Sequence, residues 1–171
     1  NHRWEYDKGP DLLFDALLRL DKQLQPDSFT LHVVGQSFRQ HPEIFDKIYS
    51  QFSHRIGQWG FLKSNNDYQN LLHQSDIVIS TAIHDFQGIA VLEAVAAGCI
   101  PVVPNRLAYP ELFDADFCFD SGDNQAESLT NALRSRILEH AKEALPTPPM
   151  LQHLEWEQMK PKYQKLFDET L

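Results

Sequence analysis

The sequence predicts an α/β fold in which a parallel sheet is covered by helices on both faces. Three observations predict it. Short β-branched or aromatic runs alternate about six times with segments of 3.6-residue apolar period. Strand candidates such as Ile77-Val78-Ile79 are continuous apolar runs, the pattern of strands buried on both faces. The 171 residues are enough for one domain with a real core and too few for two comfortable ones.

The elements follow in order. Asn1 to Lys8, NHRWEYDK, has neither a helical nor a strand period. Gly9-Pro10-Asp11 opens a helix, because Pro and Asp are favoured in a first turn. Leu12, Leu13, Ala16, Leu17 and Leu20 form its apolar face, and it ends before Pro26. Phe29 to Val34 is a buried strand stopped by Gly35. From Pro42 to Phe52 the spacing of Ile44, Phe45, Ile48 and Phe52 predicts a second amphipathic helix. His54 to Phe61 is a short strand ending in a Gly60 turn, and Asp67 to His73 a short helix capped by Asn66 or Asp67. Ile77 to Ile79 and Ile100 to Val103 are strands, with Pro101 suited to a strand start or edge. Tyr109 to Phe113 is a short helix, Phe117 to Phe119 a last strand, and Asn124 to His140 a helix. Pro146-Thr147-Pro148-Pro149 separates residues 1–145 from a linker and polar helical region, 146–171, that Pro161 is expected to kink or split. This order is Rossmann-like, yet neither G-x-G-x-x-G nor a G-x-x-x-x-G-K-[ST] loop is present. Any ligand chemistry comes from elsewhere.

Composition narrows the function classes. No apolar run approaches the ~18 residues needed to cross a bilayer, so no membrane role is expected. A formal net charge of -9 argues against a nucleic-acid clamp in this chain, because phosphate binding relies on clustered Lys and Arg. An acidic chain can still hold one nucleotide through two or three placed cations. Cys99 and Cys118 lie beside apolar strand residues and match no metal spacing. They read as small buried thiols of a reducing compartment, and no signal peptide is visible, so a cytoplasmic location is expected.

The stretch Ser80 to Glu111 organises the chain. It reads as a strand end, a loop with His84 and Asp85, a turn at Gly88, an apolar helix carrying Glu93, a stop at Gly98 and a second buried strand. Such a helix N-terminus points out at the carboxyl edge of the sheet, where a phosphate or sugar would sit. Gln87-Gly88-Ile89 offers backbone N–H groups there, and Asp85 and Glu93 can accept hydrogen bonds from vicinal hydroxyls of a sugar or ribose. Glu93 stands among Val91, Leu92, Ala94 and Val95, so a carboxylate there needs a reason. Arg3 and Lys8 flank the loop before the first helix, as the cations of a diphosphate clamp would; two exposed surface charges are the plainer reading. Asp114-Ala115-Asp116 matches a metal-holding D-x-D pattern but reads as a turn in a chain with 24 acidic residues. The eight histidines show no H-x-x-x-H spacing, so no metal ligation is expected.

Together these pieces resemble the C-terminal, donor-binding domain of GT-B glycosyltransferases, specifically the large retaining family 4. The family signature, E-G-F-G-x-x-x-x-E-A-x-A-x-G-x-P-V-V, has its counterpart in Asp85-Phe86-Gln87-Gly88 followed by Glu93 to Gly98 and Pro101-Val102-Val103. The earlier R-x-x-x-x-K-G element is matched by Arg3 to Gly9. NHRWEYDKGP, STAIHDFQGIAVLEAV and PNRLAYPELF look like the branch of that family that mannosylates queuosine in tRNA from GDP-mannose. The resemblance implies that Arg3 and Lys8 hold the donor diphosphate and neutralise charge on the leaving phosphate. It implies that Glu93 binds the ribose, Asp85 a hydroxyl of the transferred sugar, and the Gln87, Gly88 and Ile89 amides the phosphates. Gly60, Phe61 and Leu62 would lie against the base, with His84 and Phe86 beside the donor. Aspartate is one methylene shorter than the family's usual glutamate, which leaves the contact made by Asp85 open. Transfer would retain anomeric configuration without a metal or other cofactor. The acceptor side would belong to an N-terminal domain absent from these 171 residues, and any tRNA contact would run through it. Two alternatives stand beside this reading: a UDP- or ADP-sugar transferase with a lipid or saccharide acceptor, and a non-catalytic sugar-nucleotide module.

Overall fold

The computed structural model describes residues 3–36 and 41–169. A 3-10 turn at Tyr6–Lys8 leads into α1 (Pro10–Asp21), then β1 (Leu31–Val34), α2 (Ile44–Gln51), β2 (Ile56–Gly60) and α3 (Asn65–His73). The second half holds β3 (Ile77–Ile79), α4 (Ile89–Ala96), β4 (Ile100–Pro104), α5 (Tyr109–Leu112), β5 (Cys118–Phe119), α6 (Gln125–His140) and α7 (Trp156–Asp168). All strand pairs are parallel, in two ladders of order β1-β2 and β3-β4-β5.

The α/β class and the helices on both faces are as expected, and β4 shows why. All five of its residues are buried. Val102 packs with Ala16 and Leu20 of α1 and Leu129 and Leu133 of α6. Val103, one position on, packs with Val91, Ala94 and Val95 of α4. A strand covered on both sides cannot alternate with polar residues.

The expected single sheet is realised as two hydrogen-bonded groups. No ladder joins β1 to β3 among the described residues, and a cavity of about 600 Å³ is lined by both strands with Leu17, Leu72 and Ala94. Helix α1 ties the halves together instead. Its Leu17 belongs to the cluster of Leu31, Val33, Phe45 and Ile48, while Ala16 and Leu20 belong to the cluster on β4.

Local expectations shift in four places. The cap of α3 is Ser64, whose hydroxyl accepts from the Asp67 amide, and not Asn66 or Asp67. Pro101 sits at the second position of the central strand of its ladder, so it marks a strand start and not an edge. Phe117 closes a 3-10 turn at Ala115–Phe117, with Asp114 at its cap, which leaves only Cys118–Phe119 as strand. Pro161 does not split the last helix, since α7 runs through it as one element.

Candidate functional site

The segment before α1 forms no element beyond the 3-10 turn at Tyr6–Lys8 and is held by contacts to both halves of the fold. Trp4, 5% exposed, anchors it by stacking on Phe45 at 4.7 Å and meeting Trp59 edge-on at 5.0 Å. The Trp4 amide donates to Gln36 O beyond β1. The chain then crosses to the end of β3, where Asp7 O accepts from the Ile83 and His84 amides and Thr81 Oγ1 donates to Lys8 O. Gly9 follows at φ +61, and a Cβ there would run into the Thr81 carbonyl. A side chain would push the two loops apart, so glycine keeps Lys8 against the β3–α4 loop.

Lys8 is thereby delivered to the corner the sequence marks. Its side chain is only 12% exposed, and Nζ donates to His84 O at 2.8 Å. Asp7 Oδ2 lies 3.4 Å and Asp85 Oδ2 3.9 Å from the same nitrogen. Two carboxylates thus balance a largely enclosed ammonium at the N-terminus of α4.

Asp85 is half-buried and engaged by the fold on both oxygens. Oδ1 accepts from the Gly88 amide at 3.0 Å, closing the turn into α4, and Oδ2 accepts from the Tyr109 hydroxyl at 3.4 Å. The Gly88 amide is therefore already occupied. The Tyr109 oxygen is also 2.8 Å from Ser80 Oγ, itself an acceptor for the Ala82 amide. Burial pushes the Tyr109 phenol up to about 12, so it is a proton donor at any physiological pH.

Glu93 stands exposed on α4 and receives a hydrogen bond of 2.8 Å from Tyr68 of α3. The exposure of Glu93 to solvent lets a carboxylate stand on so apolar a helix, and the tyrosine orients it. Arg3 is not joined to the cluster: it pairs with Glu5 at 3.5 Å, its side chain 59% exposed. Gly60 ends β2, Phe61 beyond it is exposed and Leu62 half-buried. His84, Phe86, Gln87 and Ile89 ring the start of α4 with exposed side chains, Phe86 almost wholly so. The geometry therefore joins Lys8, His84, Asp85 and Gly88 directly. Sequence reasoning misses Ser80, Tyr68 and Tyr109, whose contacts span 25 to 29 positions to Glu93 and between Ser80 and Tyr109. No local spacing signals such pairs. Among the described residues no group of three or more His, Cys, Asp or Glu could hold a metal ion.

A backbone turn, an enclosed ammonium and two tyrosine-held carboxylates at a sheet edge suit a nucleotide or sugar ligand. The family model described as "Glycosyl transferases group 1" matches residues 2–144. The chain belongs to this family. As a group 1 glycosyltransferase domain it is 38% identical over 133 residues to the tRNA-queuosine alpha-mannosyltransferase of Drosophila melanogaster. That match covers 78% of this chain and 34% of the relative, so the chain spans about a third of the relative's length. Solved structures share the fold. The pneumococcal O-GlcNAc transferase GtfA in complex with UDP and GlcNAc superposes with a TM-score of 0.61 at 15% identity, over 83% of this chain and 28% of that one. The catalytic domain of the cholesterol-alpha-glucosyltransferase of Helicobacter pylori gives 0.60 at 20% identity, over 83% and 85%. The architecture of this group 1 domain is thus similar to that of GT-B glycosyltransferases. No helix among its described residues is long and apolar enough to cross a membrane.

Proposed function

We propose that this domain binds the nucleotide-sugar donor of a retaining glycosyltransferase that moves mannose from GDP-mannose to queuosine in tRNA. The observation that carries the reading is the Lys8 ammonium held at the N-terminus of α4 beside Asp85. A diphosphate placed there meets a cation and a helix dipole together, and both interactions strengthen as the leaving phosphate gains charge. With the Gly88 amide taken by Asp85, the Gln87 and Ile89 amides are the ones that face the phosphates. Glu93 accepts from the ribose hydroxyls. Asp85 keeps one lone-pair direction on each oxygen for a sugar hydroxyl. Arg3 swings from Glu5 to the phosphates when the donor arrives, and residues 60–62 lie against the base. No metal or other cofactor takes part. The choice of mannose follows the name of the Drosophila relative, and that of guanine follows the resemblance of the sequence to its family.

In the whole protein the acceptor, tRNA, is held by an N-terminal domain, and the aromatic side of α7 crosses toward that domain. Residues 1–145 are the donor-binding unit and 146–171 the linker and crossover helix, in a cytoplasmic protein. The isolated chain is expected to bind donor and transfer nothing. Measurable sugar transfer by the 171-residue chain would overturn that expectation.

Calorimetric titration of GDP, UDP, ADP and GDP-mannose tests the reading, with Lys8→Ala and Glu93→Ala beside the wild type. A charge-assisted hydrogen bond contributes about 1.5–3 kcal/mol, so Lys8→Ala is expected to weaken GDP about 10- to 100-fold. A preference for GDP in the wild type, with GDP binding weakened in both variants, supports the proposal. A preference for UDP or ADP points to a different donor, and equal indifference to every nucleotide points to a non-catalytic module.

A further inference from the structure

We infer that Tyr109 is a positioning residue of the donor site, holding the Asp85 carboxylate and the Gly88 turn in the arrangement that accepts the sugar. The inference rests on the donor-site reading and concerns a residue that reading does not use.

The hydrogen bonds around Tyr109 have only one consistent direction. An ionised Asp85 can only accept, so the phenol proton points to Oδ2. The phenol has no second proton, and Ser80 therefore donates to the Tyr109 oxygen across the 2.8 Å contact. Ser80 Oγ in turn accepts from the Ala82 amide. A chain of donors thus runs from the backbone at the end of β3, through Ser80 and Tyr109, to Asp85. Ser80 and Tyr109 are 3% and 1% exposed, so water does not compete for these bonds. The raised phenol pKa, about 12, keeps the donor protonated throughout.

The ring of Tyr109 acts on the same turn by packing. Gly88 is buried at φ +64, and a Cβ there would meet Tyr109 Cε1 at 2.8 Å. The hydroxyl end of the ring lies close against the turn, while the hydroxyl fixes the carboxylate that closes it. An aspartate is a methylene shorter than glutamate and reaches less far. A second anchor on its Oδ2 compensates by removing its freedom to rotate away from the site.

Tyr109→Phe in the 171-residue chain keeps the ring and deletes only the hydroxyl. Amide exchange followed by NMR reads the effect without ligand, and titration with GDP and GDP-mannose reads it with ligand. The expected result is a several-fold faster exchange at the Gly88 amide, GDP affinity within about twofold of wild type, and GDP-mannose affinity reduced about 3- to 10-fold. Asp85→Ala serves as the reference for full loss of the carboxylate, and Ser80→Ala, upstream in the chain, should shift both readouts the same way. Unchanged Gly88 exchange overturns the inference. Faster exchange with GDP-mannose affinity untouched also overturns it, because Tyr109 would then be merely structural. Faster exchange in a protein that binds no nucleotide even as wild type upholds the hold on Asp85 and removes the donor-site reading instead.

Discussion

Glu93 and Asp85 are both held by tyrosine hydroxyls, and the proposed function sets them against different parts of a nucleotide sugar. Tyr109 reaches Asp85 from a buried position, while Tyr68 reaches Glu93 at the protein surface. The consequences of losing each hydroxyl should therefore separate. Tyr68→Phe is expected to weaken GDP and GDP-mannose alike, about 2- to 10-fold, since a single hydrogen bond contributes about 0.5–1.5 kcal/mol and the ribose is common to both ligands. Equal titrations of the two ligands check this, and a loss confined to GDP-mannose would contradict the ribose role of Glu93. At this scale the acidic residues and Lys8 were legible from the motif. Their partners were not, because Tyr68 and Ser80 carry no pattern of their own and become partners only when α3 and β3 are brought alongside α4 and α5.

Elements are tied to one another by a few buried polar contacts, of which Arg55 is the clearest. It precedes β2, is 3% exposed, and donates to Asp21 Oδ1 at the end of α1 at 2.8 Å. Gln25 O and Pro26 O accept from the same guanidinium, which also stacks on Phe29 at 4.2 Å. Partial burial works against ionisation of Asp21, but the hydrogen bonds from Arg55 and His54 outweigh it and hold the carboxyl below its ordinary 3.8. A folded-state value below the unfolded one stabilises the protein above pH 3.8 and ceases to do so as pH falls through the folded value. Asp21→Ala is therefore expected to cost about 1.5–3 kcal/mol at neutral pH and progressively less in acid. Urea unfolding of both chains across that range measures it; a constant difference would show that the ion pair is not responsible. The helices themselves were legible from period and caps. The cap of α3 was misplaced because Ser64, Asn66 and Asp67 are all good capping residues, and only backbone geometry chooses among them.

On the scale of the molecule, α7 differs from every other long helix. None of its residues is buried, and Trp156, Tyr163, Leu166 and Phe167 are between 49% and 67% exposed. The main element it packs against is the short 3-10 turn at Gln152–Leu154 just before it. Such a helix adds little to the stability of the domain. A chain ending at Glu155 is expected to keep its unfolding free energy within about 0.5 kcal/mol, the scale of surface changes that touch no core contact. Thermal and urea unfolding of the shortened chain give the comparison, and a large loss would mean that α7 supports the core. The parallel sheet expected at this scale is built, among the described residues, as two ladders, since residue patterns identify buried strands but not which strand edges meet. Leu17 on one side of α1, with Ala16 and Leu20 on another, decided how the two ladders are joined.

The sequence alone determined the α/β class and the order of the elements, because apolar period, caps and turn glycines are local properties, and it pointed to the loop before α4 as the corner now proposed for a ligand. It also located Lys8, Asp85, Gly88 and Glu93 through their fixed spacing. Only the tertiary structure decided that Lys8 is enclosed between Asp7 and Asp85, that Arg3 stands apart on Glu5, and that tyrosines orient both carboxylates. Those are contacts between positions far apart in the chain, set by which buried faces pack together, and burial of one face leaves no mark on the residues it will meet.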